Sequence, residues 1–122
     1  FPVLPDKNLL RVANPRAAFV QVMRLFEPPP LGPIGIHPTA AIAPKAVIEP
    51  NVTIRECAVV REGARIGQGT LIESGAHIGV GAHIGRDCFI GPNVVLMHGT
   101  QVGDRVRIHG GSVIGGDGFG YV

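Results

Sequence analysis

Aliphatic side chains recur at every sixth position from Ile36 onward. The residues at 36, 42, 48, 54, 60, 66, 72, 78, 84, 90, 96, 102, 108 and 114 are Ile, Ile, Ile, Ile, Val, Ile, Ile, Ile, Ile, Ile, Leu, Val, Ile and Ile. Four places after each stands a small or β-branched residue: Ala40, Ala46, Val52, Ala58, Ala64, Thr70, Ala76, Ala82, Cys88, Val94, Thr100, Val106, Ser112 and Gly118. Glycine follows the aliphatic directly at Gly67, Gly79, Gly85, Gly91, Gly103 and Gly115. A helix repeats its faces every 3.6 residues and a strand every two, so neither accounts for six. A fixed period held through fourteen units without insertion marks a stacked repeat.

The small residue, its neighbour and the following aliphatic make a short strand, for example Ala76, His77 and Ile78. Alternation points Ala76 and Ile78 one way and His77 the other. The next three places are rich in Gly, Pro, Asn and Asp and form a turn. Such a strand cannot pair with its sequence neighbour around a tight corner, but it can pair with the equivalent strand one coil later. Three sides per coil predict a triangular prism, an all-β parallel β-helix over residues 36–122. Ile66, Ile72, Ile78, Ile84 and Ile90 lie inside it. Ile78 stacks between Val60 and Leu96, and Gln101 lies over His83. Both ends of the ladders need a cap or a continuation.

The first 35 residues follow other rules. Leu9, Leu10, Arg11 and Val12 read as a strand. Asn14 followed by Pro15 is a helix start, an N-cap and then proline at the first helical place. Phe19, Val22, Met23 and Phe26 line one face of that helix. Glu27, Pro28, Pro29 and Pro30 stop it, since proline lacks an N–H and restricts its predecessor. The reading divides the chain into 1–27, the end of an N-terminal domain, 28–35, a proline-rich linker, and 36–122, the first part of the β-helix.

Gly and Pro occupy 18 and 11 positions, a level that raises the question of disorder. The 45% hydrophobic and 16% charged content answers it in favour of a packed core. Val and Ile dominate over Leu and the aromatics, as strands favour. A net charge of +2 without a dense Lys/Arg patch speaks against nucleic acid as a partner. No apolar run reaches the ~18 residues of a membrane span, so no stable membrane insertion is expected. The first residue is Phe1 rather than Met, and the chain reads as a piece of a longer one. Cys57 and Cys88 match no CxxC or CxxH spacing and read as two free thiols.

The hexapeptide pattern resembles the left-handed parallel β-helix acyltransferases. Three stretches sharpen the match: Phe26-Glu27-Pro28-Pro29-Pro30, Gly35-Ile36-His37-Pro38-Thr39-Ala40, and Val113-Ile114-Gly115-Gly116-Asp117-Gly118-Phe119-Gly120-Tyr121. With Asn14-Pro15-Arg16-Ala17-Ala18-Phe19 they are similar to the N-acyltransferases of lipid A biosynthesis that act on UDP-3-O-acylglucosamine. That resemblance implies transfer of a 3-hydroxyacyl group from acyl carrier protein to the 2-amine of the UDP-sugar acceptor. It also implies a cytoplasmic homotrimer with clefts between subunits, no metal and no cofactor, and a uridine-binding domain of which residues 1–27 are the end. The family's general-base histidine belongs to an Ile-Ala-His-Asn-type segment that this chain does not contain. No catalytic residue is therefore carried over, and the 122-residue chain is expected to be inactive alone while a longer parent is active.

His77 and His83 are outward on adjacent faces and diverge, whereas zinc needs ligands converging within about 2.1 Å of one ion. His98 and His109 fall in turns. His109 is a candidate neighbour of a substrate cleft, and His37 is expected to cap backbone groups at the β-helix entrance. Cys88 takes a small inward place as an alanine would, and Cys57 sits in a turn. Asp117, Phe119 and Tyr121 stand where the period fails, since residue 120 is glycine. They read either as a loop leaving the prism or as contacts for an acceptor sugar, Asp117 polar and the two rings as stacking surfaces. Two other classes stay open at this level: another hexapeptide protein such as a γ-type carbonic anhydrase-like enzyme, and a non-catalytic β-helix assembly module.

Overall fold

A computed structural model describes residues 13–26 and 32–116. The chain separates into two units, Phe1–Gly32 and Pro33–Val122. In the first, the helix Pro15–Leu25 begins as its sequence requires. Asn14 Oδ1 accepts the Ala17 N–H at 3.2 Å and the Asn14 carbonyl accepts that of Ala18 at 3.0 Å. Its apolar side chains Phe19, Val22, Met23 and, just beyond, Phe26 are all exposed. The strand expected at residues 9–12 and most of the proline segment lie outside the described residues.

The second unit is a parallel β-solenoid, with thirteen two-residue strands in three sheets among its described residues. The first sheet holds Ala41–Ile42, Val59–Val60, His77–Ile78, Val95–Leu96 and Val113–Ile114. The second holds Val47–Ile48, Arg65–Ile66, His83–Ile84 and Gln101–Val102. The third holds Thr53–Ile54, Leu71–Ile72, Phe89–Ile90 and Arg107–Ile108. Every pairing joins residues one coil of eighteen apart, so Ile78 lies between Val60 and Leu96 and His83 faces Gln101. At ~4.8 Å between strands, five strands make a ladder about 19 Å tall.

The core is the aliphatic column with the small residues between. Ile54, Ile72, Ile78, Ile90 and Leu96 are wholly buried, as are Ala58, Ala64, Ala76, Ala82 and Val94. The period holds at the ends too, but burial does not. Ile36 is 48% exposed and Ile114 38%, because each has a described coil on one side only. The outward places are not uniformly wet either. Thr53 and Leu71 alternate outward from the third sheet yet are buried.

The corners explain the turn chemistry. The residue after the aliphatic accepts a hydrogen bond from the small residue three places on, as Gly79 does from Ala82 at 3.1 Å. The third turn residue takes positive φ at Asn51, Cys57, Gly63, Gly69, Gly75, Gly81, Asp87, Asn93, Gly99, Arg105 and Gly111. Prolines 38, 44, 50 and 92 fill the second turn place. Proline second and positive φ third is the type II pattern. Consecutive corners are tied together as well; the Gly99 N–H donates to the Val80 carbonyl at 2.8 Å.

One corner departs from the rule, at Thr70. Its hydroxyl sits between the two groups that close the equivalent turns elsewhere. It donates to the Gly85 carbonyl at 2.8 Å and accepts the Cys88 N–H at 3.1 Å. One coil on, the Cys88 thiol donates to the Gly103 carbonyl at 3.0 Å. Cys88 is buried as the period requires, but it does more than an alanine would: it repeats the bond made by Thr70. Thr70→Val keeps the volume and removes the hydroxyl. It should destabilise by about 1–3 kcal/mol, the usual range for leaving buried backbone groups without a partner. Thr70→Ser should stay close to the parent, and urea melts of the two variants measure the difference.

Candidate functional site

The histidines are dispersed. His77 is half-buried, outward from the first sheet between Val59 and Val95. His83 is exposed on the second sheet between Arg65 and Gln101. His98 and His109 are exposed at two different corners. The His109 carbonyl accepts both the N–H and the hydroxyl of Ser112, at 3.3 and 2.8 Å, so its corner is well held. Among the described residues no three His, Cys, Asp or Glu side chains come together as a metal site would need. Asp117, Phe119 and Tyr121 lie outside the described residues.

His37 does act as a cap. Its Nδ1 accepts the Thr39 N–H at 3.1 Å and lies 2.8 Å from the Thr39 hydroxyl, while its Nε2 faces Glu56 Oε1 at 3.8 Å. Thr39 Oγ1 in turn accepts the Cys57 N–H from the next coil at 3.0 Å. These bonds tie the first turn to the second. A small apolar recess of about 170 Å³ lies beside them, walled by Ile34, Ile36 and Ile54.

Charged side chains concentrate at the corner leading from the second sheet to the third. A half-open cavity of about 330 Å³ lies there between Arg65 and Arg86, with Gly67 and Gly85 beneath and Val47 at one edge. Glu49 and Asp104 line it, but each carboxylate is turned onto a backbone N–H of a neighbouring coil. Glu49 Oε2 accepts from Gln68 and Asp104 Oδ1 from Arg86, both at 2.8 Å. Sequence reasoning missed this cluster. Glu49, Arg65, Arg86 and Asp104 stand 16, 21 and 18 residues apart, separations that have meaning only once three hexads are known to close one coil.

Elsewhere Arg55 pairs with Glu73 at 4.0 Å, and the Arg107 guanidinium lies over the Phe89 ring at 5.1 Å. Among the described residues no helix is long and apolar enough to cross a membrane. Both cysteines are free, Cys57 exposed at a positive-φ turn place and Cys88 buried.

Comparison with known proteins adds the following. The family model for the bacterial transferase hexapeptide, six repeats, matches residues 81–116. A UDP-3-O-acylglucosamine N-acyltransferase of Ectopseudomonas mendocina is 62% identical over 114 residues, 93% of this chain and 32% of that protein. The enzyme of the same name from Pseudomonas fluorescens is 53% identical over the same shares. The chain thus spans about a third of the length of the curated relatives it matches. Among solved structures, a histidine-to-asparagine variant of perosamine N-acetyltransferase from Caulobacter crescentus, in complex with CoA and GDP-perosamine, aligns with a TM-score of 0.53 and 25% identity. The alignment covers 64% of this chain and 40% of that one.

Proposed function

We propose, because this chain is a hexapeptide-repeat homologue of the UDP-3-O-acylglucosamine N-acyltransferases, that it is part of an N-acyltransferase acting on an amino-sugar nucleotide. The observation that carries the reading is identity of up to 62% along 93% of the chain. The acetyltransferase of similar fold, solved with CoA and GDP-perosamine, supports the same chemistry, a thioester donor and an amine on a nucleotide-linked sugar. In this reading the acyl donor is acyl carrier protein and the acceptor is the UDP-linked 3-O-acylated glucosamine of the lipid A pathway. The amine attacks the thioester carbonyl, a C–N bond replaces the C–S bond, and the thiol leaves with the proton. The working form is a cytoplasmic homotrimer with its β-helices wound left-handedly and clefts between subunits. Residues 1–27 end a uridine-binding domain. Asp117, Phe119, Tyr121 and His109 contact the acceptor.

The transfer needs a base within hydrogen-bond reach of the amine and donors for the oxyanion. The described histidines are a cap, two outward strand residues on different sheets and two isolated corner residues, so none is assigned that role. Acyl transfer is expected from a protein extended to the relatives' length and not from these 122 residues alone. A missing base lowers the rate by roughly a hundred- to ten-thousand-fold. The check is an assay of both lengths with an acyl-carrier-protein thioester and the UDP-sugar acceptor. Equal turnover by the short chain would move the base into it and make His98 and His109 the first alanine substitutions. No turnover by the longer protein would reject the reading.

A further inference from the structure

We infer that the corner cavity between the second and third sheets binds a diphosphate through Arg65 and Arg86. The site itself stands on geometry; only the identity of its natural ligand rests on the sugar-nucleotide reading above.

Exposed arginines are ordinary, but this pair has three unusual features together. Both line one cavity of about 330 Å³, near the lower end of the range for small-ligand sites. Neither guanidinium has a hydrogen-bonding or ionic partner among the described residues. The two carboxylates that share the cavity would be their natural counter-ions, yet both are held by backbone N–H groups, Glu49 by Gln68 and Asp104 by Arg86. The arginine forks therefore remain open. A guanidinium presents five N–H donors in a plane that matches phosphate oxygens in pairs, and such bonds are charge-assisted.

Gly67 and Gly85 line the cavity, and at each the next coil's backbone approaches closely: a Cβ on Gly67 would lie 2.5 Å from the Gly85 carbonyl carbon and one on Gly85 2.7 Å from that of Gly103. A Cβ on Gly85 would strike Asp104 Oδ1 at 2.3 Å, so glycine there also lets that carboxylate reach its N–H. Arg65 belongs to the second sheet and Arg86 to the corner of the following coil, and both line the cavity. One side is open to solvent, so the remainder of a larger molecule can project outward.

A diphosphate could belong to a sugar nucleotide, and a phosphate could also come from the phosphopantetheine arm of a thioester donor. The test is a titration of the ¹⁵N-labelled chain, followed by NMR, with pyrophosphate, UDP, phosphopantetheine and uridine separately. Pyrophosphate should shift the Gly67, Gly85 and Arg86 amides saturably, and uridine should not. UDP binding more tightly than phosphopantetheine assigns the site to the nucleotide, and the reverse order assigns it to the donor; either order supports the site. Arg65→Gln and Arg86→Gln should each weaken pyrophosphate about tenfold, the loss of one charged hydrogen-bonding partner. Glu49→Gln combined with Asp104→Asn keeps an oxygen for each N–H and removes two negative charges, so affinity should rise. Absence of saturable shifts, shifts spread equally over Arg61 and Arg105, or affinity indifferent to the arginine changes would each overturn the site. Acyl transfer by the longer protein without diphosphate binding here rejects this site alone. Binding here without acyl transfer rejects the functional reading alone.

Discussion

Ile78→Asp should unfold the solenoid or cost it at least about 3 kcal/mol, the range for burying a charge without a partner. Ile78 is fully buried between Val60 and Leu96, with Ala76 and Ala82 in the same core. Among the described residues that column holds aliphatic and small side chains and the Cys88 thiol, and no cationic side chain to partner a carboxylate. Losing the isoleucine also forfeits roughly 1.5–3 kcal/mol of apolar burial. Because the coils are stacked, each depends on its neighbours, and a break at the third coil deprives both halves of a partner. Gln101→Asp is the control: it places the same charge on an exposed outward position, where about 0.5 kcal/mol either way is usual. Thermal melts followed by circular dichroism would compare the two. A cooperative transition for Ile78→Asp within a few degrees of the parent would contradict the stacked core.

The second large effect concerns two glycines only two residues apart. Gly79→Ala should destabilise by about 2–3 kcal/mol, as overpacking against an unyielding neighbour does. A Cβ there would meet the Leu96 carbonyl oxygen at 2.6 Å and the His98 nitrogen at 2.7 Å, both backbone atoms of the next coil. The same ladder bonds the Gly79 N–H to that Leu96 carbonyl at 2.8 Å, so the coils cannot separate without losing it. Arg61 and Glu73 show that side chains are accepted at equivalent places in other turns. The local backbone at Gly79 instead brings the next coil too close. Gly81→Ala meets nothing within 4 Å and has only its φ of +67° to contend with. That conformation costs an alanine about 1–2 kcal/mol. The ordering, Gly79→Ala worse than Gly81→Ala, separates close approach from backbone conformation. Urea midpoints in the reverse order would show that the coil spacing is not what makes Gly79 necessary.

Most of the solenoid was legible before any coordinate, and Ile78 shows why. Its neighbours Val60 and Leu96 follow from counting eighteen in either direction, because every hexad is the same local solution repeated. The small residue fits the core beside the corner, the aliphatic fills the face, and the turn residues tolerate positive φ. The same arithmetic placed Gln101 over His83, Cys88 inside and Cys57 in a turn. The helix start at Asn14 and Pro15 was equally local, since a cap is a matter of a few residues.

Other properties required the packed chain. Period six assigns Ile36 and Ile114 to the core, yet their exposure depends on how many coils lie against them. It assigns Thr53 and Leu71 to the outside, yet both are buried. It treats Thr70 and Cys88 as small residues, whereas their hydroxyl and thiol each bond a carbonyl fifteen residues ahead. The cavity of Arg65 and Arg86 was not visible as a motif, and neither were the carboxylates of Glu49 and Asp104 reaching across coils to the Gln68 and Arg86 amides. The physical division is one of range. Backbone periodicity is set residue by residue and repeats, so the sequence by itself determined the coil, its register and its core column. Where a polar side chain finds its partner depends on reach, direction and what the adjoining coil leaves open, and only the tertiary structure decided that.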